Sequence, residues 1–207
     1  MGWRLYGALG WGSTLAESAL AWVGAPFEFV DVDGFDKPGA ARDQLLAVNP
    51  LARVPTLMAP DGEIMTESAA IVLRLAELHP ESGLAPQPDD PLRAAFLNRL
   101  MWFVSVLYPT FGYRDYPERW APDAADQLAE RIDGFRRSLW LQLESEVGDS
   151  GWVLGNRPCA LDIYVSVMSH WRPRRAWIAA NCPKLHRIAL DTEALPALAP
   201  VMARNFP

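Results

Sequence analysis

The sequence has 207 residues, of which 50% are hydrophobic and 21% are charged, and its formal net charge is −6. This composition predicts folded domains with a substantial core and excludes a largely disordered chain. The negative charge argues against general binding to nucleic acid or to an anionic membrane. No apolar stretch reaches the roughly 20 residues that cross a bilayer, so no membrane span is expected.

The two cysteines of the chain are Cys159 and Cys182, which form no CxxC pair and no cluster with the three histidines. Such cysteine usage is typical of a reducing compartment and predicts neither a disulfide framework nor a structural zinc site. We therefore expect a cytoplasmic protein without a metal site.

The chain begins with a predicted strand–helix–strand unit. Residues 3–6 and 27–32 are short runs of aromatic and branched residues, which are typical of strands. Between them, apolar residues recur with helical spacing. Thr14 and Glu17 have the spacing of a capping box at the start of this helix, and Gly24 suits its end.

The next segment is predicted to complete an α/β domain. A second helix is predicted over residues 39–48, followed by strands over residues 54–58 and 63–65. The two strands are joined through Asp61-Gly62, which is a strong hairpin signal. A third helix follows. The order β-α-β-α-β-β-α indicates a βαβ unit with an antiparallel edge.

A proline-rich linker is predicted over residues 81–91, between an α/β domain over residues 1–80 and an all-helical C-terminal domain over residues 92–207. Two long helices there have predicted apolar faces, which are Phe96, Leu100, Phe103, Val104 and Leu107, and Leu128, Ile132, Phe135, Leu139 and Leu143. The segment over residues 161–171 is apolar on several sides, which predicts a buried central helix.

Two motifs in the α/β half favour ligand binding. Val54-Pro55 precedes the third strand, and Glu67-Ser68 opens the third helix, where free N–H groups and the positive end of the helix dipole suit a carboxylate. On an α/β half that is followed by a proline-rich linker and a helical half, these motifs resemble the glutathione transferase superfamily. The resemblance runs through most of the chain and implies an N-terminal thioredoxin-like domain followed by an all-helical C-terminal domain.

The segment that opens the buried helix departs from the family pattern. Members of the family usually have Ser or Thr as the N-cap and Asp three residues later, whereas this chain has Cys159 followed by Asp162. Because sulfur is a weak acceptor, we expect a capping box that is only half formed, with Asp162 alone satisfying backbone donors.

The resemblance implies that the N-terminal domain binds glutathione. In the family the Val-Pro peptide is cis, and the backbone of the residue before proline, here Val54 before Pro55, binds the cysteinyl part of glutathione like an added strand. Ser68 would hold the γ-glutamyl carboxylate, Glu67 would face the α-amino group, and Arg53 would pair with the glycyl carboxylate. The structural alternatives are an ordinary turn, a helix cap and a solvated arginine.

The resemblance also implies that the protein lowers the thiol pKa of bound glutathione. A free thiol titrates near about 8.5, and a donated hydroxyl or a helix N-terminus stabilises the thiolate. Ser13 is the first candidate for the catalytic group and Tyr6 is the second. The backbone N–H groups around Gly12 and Ser13 are a third possibility. Alternatively, Ser13 caps the first helix and Tyr6 is a packed strand residue.

The second substrate is expected beside the first helix of the helical domain. An aromatic and apolar cleft there suits a small hydrophobic electrophile, and its candidate residues are Trp11, Trp102, Val106, Tyr108, Phe111 and Tyr113. Each of them has the alternative of packing inside a domain or an interface. The basic run over residues 170–175 is interpreted as favourable charge at a helix end in preference to a site for an acidic group.

Together these features predict a glutathione transferase that activates the glutathione thiol for attack on a hydrophobic electrophile bound between the domains. The alternative is a non-catalytic protein of the same fold that serves as an interaction module or ligand carrier. No cysteine lies near the first helix, which argues against exchange by a protein thiol. The serine- and cysteine-rich signature of maleylacetoacetate-type isomerases is also missing. The resemblance further implies a homodimer.

Overall fold

The computed structural model describes residues 2–207 and contains a four-stranded mixed sheet. Its strands are β1 (Trp3–Gly7), β2 (Phe27–Asp31), β3 (Thr56–Met58) and β4 (Ile64–Met65), in the spatial order β2-β1-β3-β4. β1 is parallel to β2 and antiparallel to β3, and β3 is antiparallel to β4. The parallel βαβ unit and the antiparallel edge predicted from the sequence are both confirmed.

Three helices accompany this sheet, namely α1 (Ser13–Trp22), α2 (Ala40–Leu46) and α3 (Ser68–Leu78). Gly24 ends α1 as predicted, with a φ of 67°. Its N–H donates to the carbonyl of Ala21 at 3.1 Å, and the N–H of Ala25 donates to the carbonyl of Leu20 at 3.0 Å. This pair of bonds is a Schellman motif, in which the left-handed residue is best supplied by glycine.

The predicted capping box at the start of α1 is wrong. The residue at the N-cap is Gly12, and no side chain caps the helix. Thr14 lies inside α1 and donates its hydroxyl to Oδ1 of Asn205 at 2.8 Å, while the Glu17 carboxylate binds Arg204 and Asn205. Both side chains that the local spacing assigned to a cap therefore bind residues near the C-terminal end of the chain.

The rest of the described chain is helical, and no strand lies beyond Met65 in residues 2–207. The helices are α4 (Arg93–Trp102), α5 (Pro109–Asp115), α6 (Ala125–Glu146), α7 (Ala160–His170), α8 (Arg175–Asn181), α9 (Pro183–Glu193) and α10 (Ala199–Asn205), with a π-helical turn (Phe103–Leu107) after α4. α7 is buried along nearly its whole length, as predicted. No helix of the described residues is both long and apolar enough to cross a membrane.

The predicted apolar face of α6 is only partly correct. Leu139 and Leu143 are buried, but Phe135 is 49% exposed, and the neighbouring Arg136 takes the inward position. The Arg136 guanidinium pairs with Asp133 and lies over the ring of Phe111 at 4.9 Å. An arginine with a carboxylate partner and an aromatic neighbour can occupy an inward site that apolar periodicity assigns elsewhere.

The described chain divides into two compact units. One runs to Gln87 and also includes Glu193–Pro207, whereas the other comprises Pro88–Thr192. The sequence-based division placed all of residues 92–207 in the helical domain, so the structure differs at the C-terminal end. The reason is physical, because α10 packs against α1 through polar contacts that the sequence pattern does not reveal.

The capping box of α7 is complete, in contrast to the expectation of a half-formed one. The Asp162 carboxylate accepts from the N–H of Cys159 at 2.7 Å and from the N–H of Val153 at 2.8 Å. The Cys159 side chain faces the backbone of Asp162 in return. Burial raises the pKa of Asp162 from its ordinary value of 3.8 to about 6, although these N–H donors lower it.

Asp162 is expected to make stability depend on pH in a mildly acidic window. Because its pKa is higher in the folded protein, the folded state keeps a proton that the unfolded state releases between about pH 4 and pH 6. The free energy of unfolding should therefore fall by up to about 3 kcal/mol as the pH rises through this window.

Urea unfolding of the wild type and of the Asp162→Asn variant at several pH values checks this expectation. The variant lacks the titrating group, so the stability difference between wild type and variant should shrink by that amount as the pH rises. A difference that stays constant from pH 4 to pH 6 would contradict the shift.

Candidate functional site

Three chain segments that are distant in sequence meet at one edge of the sheet. β3 is antiparallel to both β1 and β4. The C-terminal ends of β1 and β4 therefore lie beside the N-terminal end of β3. Continuing the two registers sets Pro55 beside Gly7 on one side and beside Glu67 on the other. This edge thus combines the loop before β3 with the starts of α1 and α3.

The loop before β3 contains the expected cis peptide between Val54 and Pro55. Buried Asn49 fixes this loop by donating its amide to the carbonyl of Arg53 at 3.1 Å and to the Thr56 hydroxyl at 2.9 Å. The Thr56 hydroxyl in turn donates to the same Arg53 carbonyl at 2.8 Å. The sequence interpretation missed Asn49, because nothing in its local spacing distinguishes it from a turn residue.

Two residues of this loop present polar groups outward. The backbone N–H and C=O of Val54 make no hydrogen bond with any other residue in the described part of the chain, so they can pair with an extended ligand as an additional strand does. The Arg53 side chain is exposed, although its carbonyl is held inside the loop. The loop therefore offers backbone pairing next to a positive charge.

The start of α3 has the geometry of an anion site. Glu67 is the N-cap, with an extended backbone (φ −102°, ψ 122°), and its carbonyl accepts the N–H of Ile71 at 3.0 Å. No side chain caps the helix, so Ser68 does not serve as the helix cap that the sequence left open. Ser68 is buried in the first turn and Glu67 is exposed. First-turn N–H groups attract a carboxylate here, and Glu67 can attract an ammonium group.

Ser13 is tied to the backbone and does not face outward. Its buried hydroxyl donates to the carbonyl of Ala8 at 2.9 Å and accepts from the N–H of Ala8 at 3.1 Å. A Cβ added to Gly7 would lie 2.6 Å from the Ser13 Cβ, so the chain approaches too closely for any larger residue there. The only proton of this hydroxyl closes the β1–α1 loop, which speaks against a role as thiol donor.

Tyr6 is packed and Trp11 is partly exposed. Tyr6 belongs to a buried cluster with Val32, Phe35 and Leu45, which matches the alternative of a packed strand residue. Trp11 stands in the β1–α1 loop with 37% of its surface exposed, and its ring meets Phe35 edge-on at 5.0 Å. Trp11 can therefore contact a ligand at the start of α1.

Backbone donors remain at the start of α1. Gly12 and Ser13 precede the first intrahelical bonds, and in residues 2–207 neither of their N–H groups has an acceptor. Such N–H groups lie at the positive end of the helix dipole, where they stabilise an anion. Of the three sources of thiol activation considered from the sequence, the Ser13 hydroxyl is bonded to Ala8 and Tyr6 is packed in a cluster, whereas these backbone donors lie at a helix N-terminus without an acceptor in the described chain.

The predicted second-substrate residues belong to both compact units. Phe111 is buried in the helical unit, where it meets Trp171 edge-on at 5.0 Å and Tyr108 at 6.2 Å. Phe111 is therefore a packing residue, which corrects its assignment to a cleft. Tyr108 is partly exposed beside it. Trp11 belongs to the other unit.

The remaining members of this set are Trp102, Val106 and Tyr113. Trp102 contacts Phe103 edge-on at 5.5 Å, and Tyr113 contacts Trp120 at 4.8 Å. Val106 is half-buried in the π-helical turn. Each of these three side chains keeps some exposed surface, so each remains a candidate for ligand contact.

The basic run after α7 makes contacts inside the helical unit. Arg175 lies 2.7 Å from Nε2 of His170 and donates to the carbonyl of Ser166 at 3.3 Å. Arg172 lies 3.5 Å from Asp115. These contacts support the structural interpretation of the run. Among residues 2–207, no group of three or more His, Cys, Asp or Glu side chains is arranged to hold a metal ion.

The role of Ser13 can be tested through stability. We expect Ser13→Ala to lower the free energy of unfolding by about 1 to 3 kcal/mol, because it leaves the buried N–H and C=O of Ala8 without this partner. Ser18 is a matched control, because it is equally buried in α1 and its hydroxyl has no partner in the described chain. Ser18→Ala should cause no loss, since alanine favours the helix. Equal losses in urea unfolding would contradict the assignment.

The chain is similar to known proteins over nearly its whole length. Residues 12–83 match the family model for the glutathione S-transferase (GST) N-terminal domain. The uncharacterized GST-like protein YncG of Escherichia coli (strain K12) is 41% identical over 202 residues, which cover 98% of each chain. The maleylacetoacetate isomerase of Pseudomonas aeruginosa is 29% identical, over 91% of this chain and 90% of that protein.

A solved structure carries the same similarity. A sphingomonad glutathione S-transferase complexed with glutathione is 29% identical to this chain, covers 99% of it with 100% of its own length, and has a TM-score of 0.80. In this chain the cis Val54–Pro55 loop and the start of α3 lie at the same sheet edge. On the extent of these similarities, the chain belongs to the glutathione transferase superfamily.

Proposed function

We propose that this protein is a glutathione transferase whose thiol activator is the backbone at the start of α1. The observation that carries the proposal is the sheet edge at which the Val54 backbone groups, unbonded in the described chain, the N-terminus of α3 and the donors of Gly12 and Ser13 converge. The edge combines a strand-like partner with two helix N-termini, and these are the groups that an anionic tripeptide thiol requires.

In this proposal glutathione lies extended along the edge. Its cysteinyl backbone pairs with Val54, and its γ-glutamyl carboxylate binds Ser68 at the start of α3. The Glu67 carboxylate accepts hydrogen bonds from the α-amino group, and the exposed Arg53 pairs with the glycyl carboxylate. The opposite charges of Glu67 and Arg53 orient the ligand, because charge-assisted hydrogen bonds are about twice as strong as neutral ones.

The sulfur would then lie near the N–H groups of Gly12 and Ser13. Thiols at helix N-termini titrate below the ordinary value of about 8.5, because the positive end of the dipole stabilises the thiolate. The thiol proton leaves to solvent, and the thiolate forms a carbon–sulfur bond at an electrophilic carbon of a hydrophobic substrate. With an aryl halide, the carbon–halogen bond breaks and halide leaves with its electron pair. Trp11 is the aromatic side chain of the same loop that can contact this substrate.

The P. aeruginosa relative is a maleylacetoacetate isomerase, so a screen of electrophiles should include a cis-dienoic acid beside aryl halides. The second candidate function is binding without turnover. It is favoured by the engagement of the Ser13 hydroxyl with Ala8, which leaves no side-chain donor for the sulfur at that position. We include in this proposal the homodimer that the family resemblance implies.

Glutathione binding tests the site directly. In isothermal titration, the Glu67→Ala, Ser68→Ala double variant should bind glutathione at least about tenfold more weakly than the wild type, because it loses hydrogen bonds to both charged ends of the γ-glutamyl group. Glu77→Ala, at the exposed far end of α3, is the matched control and should bind normally. A wild type that fails to bind millimolar glutathione would refute the proposal.

Substitution of Tyr6 distinguishes activation of the glutathione thiol by a side chain from activation by backbone N–H groups. Tyr6→Phe should leave the thiol pKa of bound glutathione within about half a unit of the wild-type value and kcat within about twofold, because Tyr6 points to the sheet face opposite the one on which Gly7 meets Ser13. The thiolate absorbance as a function of pH and the rate with an aryl halide give the two quantities. A rise of a full unit or more in this pKa would identify Tyr6 as the activator instead.

A further inference from the structure

We propose that Asn205, near the C-terminal end of the chain, is a positioning residue for the loop that activates the glutathione thiol. The proposal rests on the proposed function above, because it concerns how the backbone donors of Gly12 and Ser13 are held in place. Asn205 ends α10 and lies in the same compact unit as α1.

The Asn205 side chain bridges the two ends of the β1–α1 loop. Its Oδ1 accepts the backbone N–H of Gly10 at 2.9 Å and the hydroxyl of Thr14 at 2.8 Å. Gly10 and Thr14 stand on either side of the segment that contains Gly12 and Ser13. One buried acceptor therefore joins the two ends of this segment, in addition to the bonds between Ser13 and Ala8.

The amide of Asn205 is itself held in one orientation. Its Nδ2 donates to Oε2 of Glu17 at 3.1 Å and to the carbonyl of Val201 at 2.9 Å. Both of these partners accept, whereas the partners of Oδ1, Gly10 and Thr14, both donate. A flipped amide would face wrong partners on both sides, so the side chain has one satisfied arrangement.

The backbone approach is close at the same place. Gly10 has a φ of 76°, and a Cβ added to it would lie 3.2 Å from the carbonyl oxygen of Asn205. The loop therefore contacts both the side chain and the main chain of the last residue of α10. Such a contact limits the movement of the loop as well as its mean position.

A fixed loop matters chemically because donors stabilise an anion best when they are already oriented toward it. The N–H groups of Gly12 and Ser13 can lower the thiol pKa only while they point at the sulfur. With Asn205 removed, the loop loses the acceptor that joins its ends, and the donors lose this orientation. Glutathione would still bind through Val54 and the start of α3, so the effect should fall on the thiol pKa and kcat more than on affinity.

Arg204 provides a control, because its substitution should also weaken the packing of α10 on α1. It lies next to Asn205 on α10, pairs with the buried Glu17 and lies over the ring of Phe29 at 4.7 Å, but in the described chain it makes no hydrogen bond or ion pair with the loop over residues 8–13. Arg204→Ala and Asn205→Ala should both destabilise the packing of α10 on α1. Only Asn205→Ala should disturb the donors.

The test measures thiolate absorbance of bound glutathione against pH, together with kcat and KM, for the wild type and for Asn205→Ala, Thr14→Val and Arg204→Ala. We expect Asn205→Ala to raise the thiol pKa by about one unit and to lower kcat at neutral pH by about tenfold, with a much smaller change in KM for glutathione. Thr14→Val, which keeps the Gly10 bond, should show an intermediate shift, and Arg204→Ala should match the wild type.

The outcomes separate the two proposals. Equal thiol pKa values in wild type and Asn205→Ala, or equal shifts in Asn205→Ala and Arg204→Ala, would overturn the positioning role while leaving glutathione transfer intact. If Asn205→Ala does not fold, the inference stands or falls on the shift in Thr14→Val. A wild type that binds no glutathione, or binds it with an unaltered thiol pKa, would overturn the proposed function and the positioning role together.

Discussion

The register of β3 is the constraint on which the candidate site depends. β3 is only three residues long, but it is antiparallel to both of its neighbours. That arrangement brings the ends of β1 and β4 to the start of β3, together with the helices that follow them. A shift of one residue would turn Val54 and Pro55 to the opposite faces and separate the polar groups. Asn49 reinforces this register, because its side chain fixes the loop before β3 through three hydrogen bonds.

In the proposed function, the two helix N-termini at this sheet edge have different roles. The start of α3 binds glutathione, and the start of α1 activates its thiol. The start of α3 suits the carboxylate of an amino acid, because Glu67 adds a negative charge that selects the neighbouring ammonium group. The start of α1 has no acidic side chain in its first turn, so its dipole is left to act on the sulfur. Ser13 then contributes indirectly, since its two bonds to Ala8 hold the loop closed.

The C-terminal segment over residues 193–207 completes the first unit. Its polar contacts with α1 involve Thr14, Glu17 and Gly10, all of which lie in or beside the first turns of that helix. Glu17 is buried, and its carboxylate is satisfied by Arg204 and Asn205. A buried charge is tolerated only with such partners. The β1–α1 loop, which the chain forms within its first 13 residues, is therefore stabilised by side chains from its last few.

The amino-acid sequence by itself determined the features that rest on local chemistry. These include the Asp61-Gly62 hairpin, the Gly24 helix end and the buried helix α7, because each follows from the preferences of neighbouring residues. The cis bond before Pro55 was expected only from the family resemblance, since local preference favours the trans form. Tertiary structure decided which partner each polar group found. Thr14 and Glu17 had the spacing of a cap, yet they bind Asn205, and Arg136 in place of Phe135 faces inward because Asp133 and Phe111 accommodate its charge. Periodicity reports which side chains are apolar, whereas a polar side chain is placed by partners that are distant in the chain and come together only on folding.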